Sequence, residues 1–225
     1  MPQADRPELA ILPLGTANDL ATACGIPTDL PTALKLAATG KAAAVDAIRA
    51  NERHFVNVAS GGFAAEVTAN TPVPLKNFLG GGAYTLSGMI QALNFVPYHG
   101  EFTLPGMSMK DEVIVGAVCN GRQAGGGQVL AGGALIDDGQ FDTVALFRFP
   151  PAEVAEVVKA LRDPSLESRY LKRFKADWAE WVCDKEFPYN LDGEPMKARK
   201  IRFEVVPKSL RLIVPENCPL LSANN

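Results

Sequence analysis

The first residues of the chain combine an apolar run with a short helical pattern. The run ELAILPL (residues 8–14) predicts a short buried strand, and glycine and threonine follow it at once. The next segment, DLATACG (residues 19–25), predicts a helix that Asn18 or Asp19 would cap. The chain therefore opens with a strand, a turn and a helix.

A second helix and a second strand are predicted before residue 51. LPTALKLAATG (residues 30–40) predicts a second helix, and AAAVDAIRA (residues 42–50) predicts a second strand. An α/β nucleotide-binding domain needs more strand–helix units than 50 residues can hold. We therefore expect residues 1–50 to be the C-terminal remnant of such a domain.

From residue 51 the pattern changes to short apolar or alternating segments between glycine-rich breaks, which is typical of an antiparallel β-sandwich or barrel. Helical patterns interrupt it at residues 64–71, 81–93 and 151–163. The predicted strands are HFVNVAS, EFTLPG, DEVIVGAVCN, QFDTVALFRF, FKADWAEWVC, KEFPYNL, KIRFEVV and SLRLIV.

These patterns predict a mixed α+β chain in which strands dominate the larger part. We expect a β-sandwich substrate domain over residues 51–215, and a C-terminal tail over residues 216–225 that returns to the first domain. A helix that spans a membrane is not expected, because glycines interrupt the apolar segment at residues 77–97.

Composition and charge exclude several classes of protein. The chain is 47% hydrophobic and 21% charged with a net charge of −3, which is typical of a folded globular protein rather than a disordered one. Its basic residues are spread out, so we expect no nucleic-acid partner. The four cysteines stand far apart without a CxxC pair, and the N-terminus lacks a signal-peptide pattern, which predicts a reduced, cytoplasmic protein.

The segment LGTAND (residues 14–19) is the first candidate for chemistry. Its glycine lets a ligand approach the backbone, and its threonine, asparagine and aspartate offer polar groups at a helix N-terminus. Such groups suit a phosphate and its metal. Taken alone, the same residues also fit an ordinary strand-to-helix turn.

A second candidate is the glycine-rich region after residue 119. In NGRQAGGGQ (residues 120–128) three successive glycines can direct N–H groups at an anion or leave room for a substrate. In ALIDDGQF (residues 134–141) carboxylates and carbonyls can converge on a hard cation such as Mg²⁺. A simple β-turn at DDGQ explains the second segment equally well.

The third candidate is YNLDGEPM (residues 189–196), which predicts a tight Asp-Gly turn with Glu194 directly before a proline. A carboxylate on a rigid turn can act as the general base for a hydroxyl, although a solvated hairpin tip has the same pattern. No G-x-S-x-G or G-x-G-x-x-G motif is present, so we expect neither serine hydrolase nor nicotinamide or flavin chemistry.

Taken in order, ILPLGTANDLA, VDAI, NVASGGFAAEV, NGRQAGGGQVLAGGALIDDGQFD, NLDGEP and CPLL resemble bacterial lipid kinases of the diacylglycerol kinase catalytic-domain family, in its YegS-type branch. The resemblance implies the NAD kinase/diacylglycerol kinase-like fold. It also implies ATP- and Mg²⁺-dependent phosphorylation of a lipid hydroxyl, diacylglycerol- or phosphatidylglycerol-like, with transient contact at the inner membrane surface.

The resemblance also implies roles for individual residues in ATP binding and in proton transfer. Thr16 matches the family threonine that contacts ATP, and Asn18 and Asp19 complete that motif. Asp46 matches an aspartate of an acidic network that is linked to water and metal. Glu194 matches the proton acceptor.

A structural cation site is implied as well. Leu135, Asp138 and Gln140 match a Mg²⁺ site, or a Ca²⁺ site, in which Leu135 and Gln140 would bind through their backbone carbonyls. Gln140 stands where a leucine is usual, a change that leaves the carbonyl in place.

The sequence departs from the family in one respect, since the phosphate loop GGDGT is absent. We therefore expect the chain to be the C-terminal part of a lipid kinase, missing an N-terminal segment of the nucleotide domain. A non-catalytic lipid-binding module is the alternative. A NAD kinase-like enzyme is a further one, against which NGRQAGGGQ and LDGEP argue. Residues 74–97 are a candidate wall or lid of the lipid cleft.

Overall fold

The computed structural model describes residues 6–62, 96–163 and 165–224. Within these ranges the chain forms twelve β-strands and three α-helices, which confirms the mixed class dominated by strands. The helices are α1 (Asp19–Ala23), α2 (Leu30–Thr39) and α3 (Val154–Arg162). The strands are β1 (Glu8–Leu9), β2 (Lys41–Ala50), β3 (Arg53–Phe55), β4 (Val58–Gly62), β5 (Tyr98–Leu104), β6 (Met107–Cys119), β7 (Gln123–Ala124), β8 (Gln128–Val129), β9 (Phe141–Phe147), β10 (Leu171–Ala176), β11 (Trp178–Leu191) and β12 (Glu194–Val214).

Ten of these strands form one sheet in the order β10-β9-β6-β4-β11-β12-β2-β3, with β5 between β6 and β11 and with β1 beside β12. The pairing of β1 with β12 is parallel, and the other pairings in this sheet are antiparallel. Strands β7 and β8 form a separate two-stranded ribbon. The predicted antiparallel architecture is therefore confirmed.

The sheet curls so that its two ends enclose one core. Ile48 and Phe55, near one end of the strand order, belong to the same buried cluster as Phe141 and Phe147 near the other end. Inward side chains from opposite parts of the sheet thus pack face to face, as in a β-sandwich.

Both predicted helices of the first fifty residues are present. Helix α2 begins after Asp29, whose Oδ1 accepts a hydrogen bond from the Thr32 N–H at 3.0 Å, and Pro31 lies in its first turn. Helix α3 confirms the pattern at residues 151–163. The helices predicted at residues 64–71 and 81–93 lie outside the described residues, as does the candidate lid except for its last two positions.

The predicted strand at residues 8–14 is wrong in extent and in burial. Only Glu8 and Leu9 pair with β12, and both are exposed. The chain then bends away, with a hydrogen bond from the Leu14 N–H to the Leu12 carbonyl at 2.8 Å. Pro13 lies inside this bend and has no N–H to continue a ladder.

Some predicted strand boundaries differ in the structure. FKADWAEWVC is divided between the end of β10 and the start of β11, KEFPYNL continues β11, and KIRFEVV and SLRLIV are both parts of β12. The register of β12 against β2 shifts between Val206 and Leu210, where Lys208 has a φ of 48°. Pro207 lies in this bulge, where a ladder hydrogen bond is not required.

A second buried cluster joins α1 to the end of the chain. Ala21 and Cys24 pack there with Cys218 and Leu220. The four cysteines are free thiols, and all are buried. The division into domains at residues 50 and 215 stays a prediction. Among the described residues, no helix is long and apolar enough to span a bilayer.

Candidate active site

The LGTAND turn is closed by the side chain of Asn18. Asn18 occupies the N-cap position of α1 with a φ of 50°, but its side chain makes no capping hydrogen bond to the helix. Instead Oδ1 accepts from the Gly15 N–H at 2.9 Å, and Nδ2 donates to the Gly15 carbonyl at 2.7 Å. The expected capping role is therefore wrong for Asn18, which braces the loop that carries the exposed Thr16.

Asp19 joins this turn to the glycine-rich segment 120–128. Its carboxylate accepts hydrogen bonds from the Gly126 N–H at 3.0 Å and the Gly127 N–H at 2.6 Å. Gln123 Nε2 donates to the Asp19 carbonyl at 3.2 Å. Successive glycine N–H groups do converge on an anion, but that anion is the carboxylate of Asp19 and not a ligand, so the ligand-binding role of this segment stays a prediction. Two segments about a hundred residues apart are thereby held together.

The LDGEP segment forms the predicted tight turn between β11 and β12. Leu191 and Glu194 are the last paired residues, and the two residues between them, Asp192 and Gly193, have φ values of 48° and 104°. Positive φ at both positions defines the type I′ turn that suits a two-residue hairpin. Asn190 Oδ1 accepts from the Gly193 N–H at 2.7 Å, and Glu194 is exposed directly after the turn.

Asp192 anchors this hairpin to the segment before β4. Its two carboxylate oxygens accept hydrogen bonds from three successive N–H groups, those of Val56 at 2.7 Å, Asn57 at 3.1 Å and Val58 at 2.8 Å. The Asp192 N–H donates back to the Val58 carbonyl at 3.1 Å. Charge-assisted hydrogen bonds of this kind are stronger than neutral ones, so the turn that carries Glu194 has a defined position.

A cleft of about 510 Å³ brings three of the predicted motifs together. Asn18 and Asp19 contribute from the LGTAND turn, Ala124 and Gly125 from the glycine-rich segment, and Asp192 and Gly193 from the hairpin. Its remaining described lining residues are Ile11, Ala17, Leu20, Ala21, Asn57, Val58, Ser60 and Asn190. Glu194 follows the last lining residue of the hairpin. The cleft is therefore lined by asparagine and aspartate side chains and by glycine backbone, beside apolar residues.

Asp46 is not one of the residues that line this cleft. The residue is completely buried, and its carboxylate accepts from the Gly139 N–H at 2.8 Å and the Lys208 N–H at 2.7 Å. Burial raises the pKa of Asp46, and the nearby carboxylates of Asp138 and Asp137 add to that rise, while the two N–H donors oppose it. Asp46 thus connects the loop at residues 135–140 to the bulge of β12.

Leu135, Asp138 and Gln140 lie in that single loop, which precedes β9. Asp138 Oδ1 accepts from the Gln140 N–H at 3.0 Å, and Asp138 Oδ2 lies 2.8 Å from Lys175 Nζ. Among the described residues, no group of three or more His, Cys, Asp or Glu side chains is placed to hold a metal ion. Both oxygens of Asp138 already have partners, one of them an ammonium group, so the three predicted residues offer a divalent cation one shared carboxylate and two backbone carbonyls. The metal role of these residues stays a prediction.

Comparisons with known proteins identify the family of this chain. The model of the YegS C-terminal NAD kinase beta sandwich-like domain matches residues 56–214, and that of the diacylglycerol kinase catalytic domain matches residues 1–50. A Shewanella frigidimarina protein named "Probable lipid kinase YegS-like" is 48% identical over 221 residues, which cover 98% of this chain and 72% of that protein. The chain belongs to the YegS-like lipid kinase family.

Other relatives support the same assignment. A Yersinia enterocolitica protein of the same name is 38% identical over 98% of this chain and 74% of its own length. A crystal structure from Bacillus anthracis, described as "a putative diacylglycerol kinase", matches with a TM-score of 0.77 at 25% identity, over 95% of this chain and 71% of that one. The predicted NAD kinase/diacylglycerol kinase-like fold is confirmed.

Several residues of this lipid kinase that shape the site are missing from the predicted set. Asp192 holds the hairpin, Asn57 Nδ2 donates to the Gln123 carbonyl at 3.1 Å, and the buried Asn120 donates to the Val56 carbonyl at 2.8 Å. Asp192 and Asn120 lie inside the quoted motifs LDGEP and NGRQAGGGQ. Their positions were visible in the sequence, but their partners were not.

Gly121 provides a test of the close packing between its backbone and the side chain of Asn57, a residue that lines the cleft. A Cβ atom at this position would lie 2.2 Å from Asn57 Oδ1, so the Gly121→Ala variant must displace the side chain that supports the glycine-rich segment. We expect it to lower the free energy of unfolding by about 1 to 3 kcal/mol in urea titrations. Gly133→Ala is the matched control, because a Cβ there would meet nothing within 4 Å. Equal effects of the two substitutions would contradict the prediction.

Asp19 provides a test of the link between the LGTAND turn and the glycine-rich segment 120–128. In Asp19→Asn one acceptor becomes an NH₂ group that faces a glycine N–H. We expect the free energy of unfolding to fall by about 1 to 2 kcal/mol, since hydrogen bonds to a charged group are lost at a half-buried site. Asp111→Asn, at an exposed position of β6, should change it much less. Urea titrations of both variants measure the difference.

Proposed function

We propose that this chain catalyses phosphoryl transfer from ATP to the hydroxyl of a lipid, diacylglycerol- or phosphatidylglycerol-like, in the 510 Å³ cleft. The observation that carries the proposal is the convergence of the LGTAND turn, the glycine-rich segment and the LDGEP hairpin on that cleft. Kinase chemistry of the family supplies the reaction class. The names of the relatives support a lipid acceptor and, in one solved structure, diacylglycerol, while phosphatidylglycerol is what the motif resemblance implies.

In the proposed reaction the oxygen of the lipid hydroxyl forms a bond to the γ-phosphorus of ATP, and the bond to the bridging oxygen of ADP breaks. The hydroxyl proton passes to the carboxylate of Glu194, which is exposed beside the cleft. Mg²⁺ bound to the nucleotide would neutralise phosphate charge. Thr16 and Asn18 would position the nucleotide at the end of the cleft that the LGTAND turn forms.

Asp19 and Asp192 support this reaction indirectly in the proposal. Asp19 keeps the glycine-rich segment against the LGTAND turn, and Asp192 keeps Glu194 at the edge of the cleft. Because phosphoryl transfer depends mainly on positioning and charge stabilisation, such anchors contribute to the rate without contacting the reacting atoms. The acceptor is part of a lipid phase, so turnover also requires transient contact with a membrane surface, and we propose a cytoplasmic, peripheral location.

A transfer assay tests the proposal. Radiolabelled ATP with Mg²⁺ would be supplied with mixed micelles of diacylglycerol, with micelles of phosphatidylglycerol, or with NAD⁺. The chain would be assayed beside a chimaera that carries the additional N-terminal segment of a YegS-like relative, since the chain spans 72% of one such relative. We expect label in lipid. Label in NADP⁺ would favour the NAD kinase alternative, and micelle binding by both proteins without transfer would favour the non-catalytic module.

A further inference from the structure

The carboxylate that corresponds to the family's cation site has an ammonium group beside it. Lys175 lies on β10 directly opposite Asp142 on β9 in the antiparallel register. Its Nζ atom lies 2.8 Å from Asp138 Oδ2 and 4.0 Å from Asp142 Oδ2. The pairing of β10 with β9 therefore brings a positive charge to the loop at residues 135–140.

The surroundings favour an ammonium over a divalent cation. Magnesium requires close to octahedral oxygen ligation, and calcium takes six to eight oxygens. The Oδ1 atom of Asp138 already accepts from the Gln140 N–H, and in the described part of the chain no three His, Cys, Asp or Glu side chains are grouped so that they could hold a metal ion. Apart from Asp138, the predicted site therefore has only the backbone carbonyls of Leu135 and Gln140 to offer. An ammonium needs only acceptors in hydrogen-bond range and has no fixed coordination number.

The loop at residues 135–140 brings several carboxylates close together. The Gly139 N–H donates to the buried carboxylate of Asp46, so the carboxylate of Asp138, one residue earlier in the chain, is held close to another acidic group. Asp142 adds a further acidic side chain, whose Oδ2 atom lies 4.0 Å from Lys175 Nζ. Without a positive charge, these like charges would repel one another and weaken the loop.

We infer that the Lys175 ammonium is the resident cation of this loop, in place of the divalent metal that the family resemblance implies. The loop then keeps its contact with Asp46 without Mg²⁺ or Ca²⁺. One ammonium balances the charge of one carboxylate. Removal of the Lys175 ammonium therefore leaves a site of higher negative charge. Substitution of Lys175 by a neutral side chain should therefore create an affinity for divalent cations that the natural chain lacks. This inference does not depend on the identity of the substrate.

Thermal unfolding without nucleotide tests the inference. The natural chain, treated with EDTA, would be compared with the same chain in millimolar MgCl₂ or CaCl₂ at constant ionic strength. We expect its Tm to change by less than about 1 °C, because a ligand that does not bind the folded state does not stabilise it. Lys175→Met should lower the Tm by about 2 to 4 °C, and added divalent cation should restore part of that loss.

The control is Lys172→Met, three residues away on the same strand and opposite Ala145. It should show neither the loss nor the response to cations. A rise of several degrees when Mg²⁺ or Ca²⁺ is added to the natural chain, abolished in Asp138→Asn, would overturn the inference. So would a Lys175→Met variant as stable as the natural chain. If Lys175→Met does not fold, the comparison of the natural chain with and without cation decides the question alone.

Discussion

The Glu194→Gln variant is expected to lose about 10²- to 10⁴-fold in the rate of lipid phosphorylation, which is the usual contribution of a positioned general base. Glutamine has nearly the shape of glutamate but cannot accept the proton of the attacking hydroxyl. Glu194 is exposed and closes the β11–β12 hairpin opposite Leu191, so the substitution should leave the fold intact. The measurements are kcat and the KM for ATP, and we expect the KM to stay nearly unchanged.

Glu186→Gln is the matched control for this experiment. It makes the same chemical change at another exposed position of β11, within the irregular part of that strand between Val182 and Phe187. Its kcat should equal that of the natural chain. Full turnover by the Glu194→Gln protein would remove this residue from the role of base. A large rise in the KM for ATP with an unchanged kcat would instead assign it to nucleotide binding.

The Asp192→Ala variant should lower both stability and turnover. It leaves the N–H groups of Val56, Asn57 and Val58 without their carboxylate acceptor, and it frees the turn that carries Glu194. Water can replace part of these bonds, so we expect the free energy of unfolding to fall by about 2 to 4 kcal/mol. We also expect kcat to fall by about 10²-fold through misplacement of the base.

Two comparisons separate this positioning role from a general loss of stability. Asp177→Ala changes an exposed aspartate in the turn before β11, far along the strand from the hairpin, and should affect neither quantity strongly. Kinetics recorded well below the Tm of each variant exclude unfolded protein as the cause. A kcat equal to that of the natural chain in folded Asp192→Ala protein would contradict the positioning role, whatever the change in stability.

Much of the fold follows from local patterns. The helix at residues 30–39 was predictable because Asp29 and Pro31 act on its first turn through short-range contacts. The Asp-Gly turn was predictable because few residues tolerate positive φ at two successive positions. The strand at residues 8–14 was not, because its pairing depends on Arg211 and Leu212, about two hundred residues away.

The candidate site was likewise predictable in part from the sequence. The motifs around Asp19, residues 120–128 and Glu194 were recognisable, because each is a short run of unusual residues. The partners of those residues were not recognisable from the sequence. Asp19 was expected to face a ligand, yet its carboxylate binds two glycine N–H groups. Asn18 was expected to cap a helix, yet it closes the loop before it.

By itself, the sequence determined the class of the fold, the family and the three motifs, since all of these depend on residue type and order. Only the tertiary structure decided which groups meet. It placed the motifs around one cleft, left the buried Asp46 out of the lining of that cleft, and brought Lys175 to Asp138 through the register of β10 and β9. The reason is that hydrogen bonds and ion pairs act over a few ångströms, while the residues that make them lie tens to hundreds of positions apart.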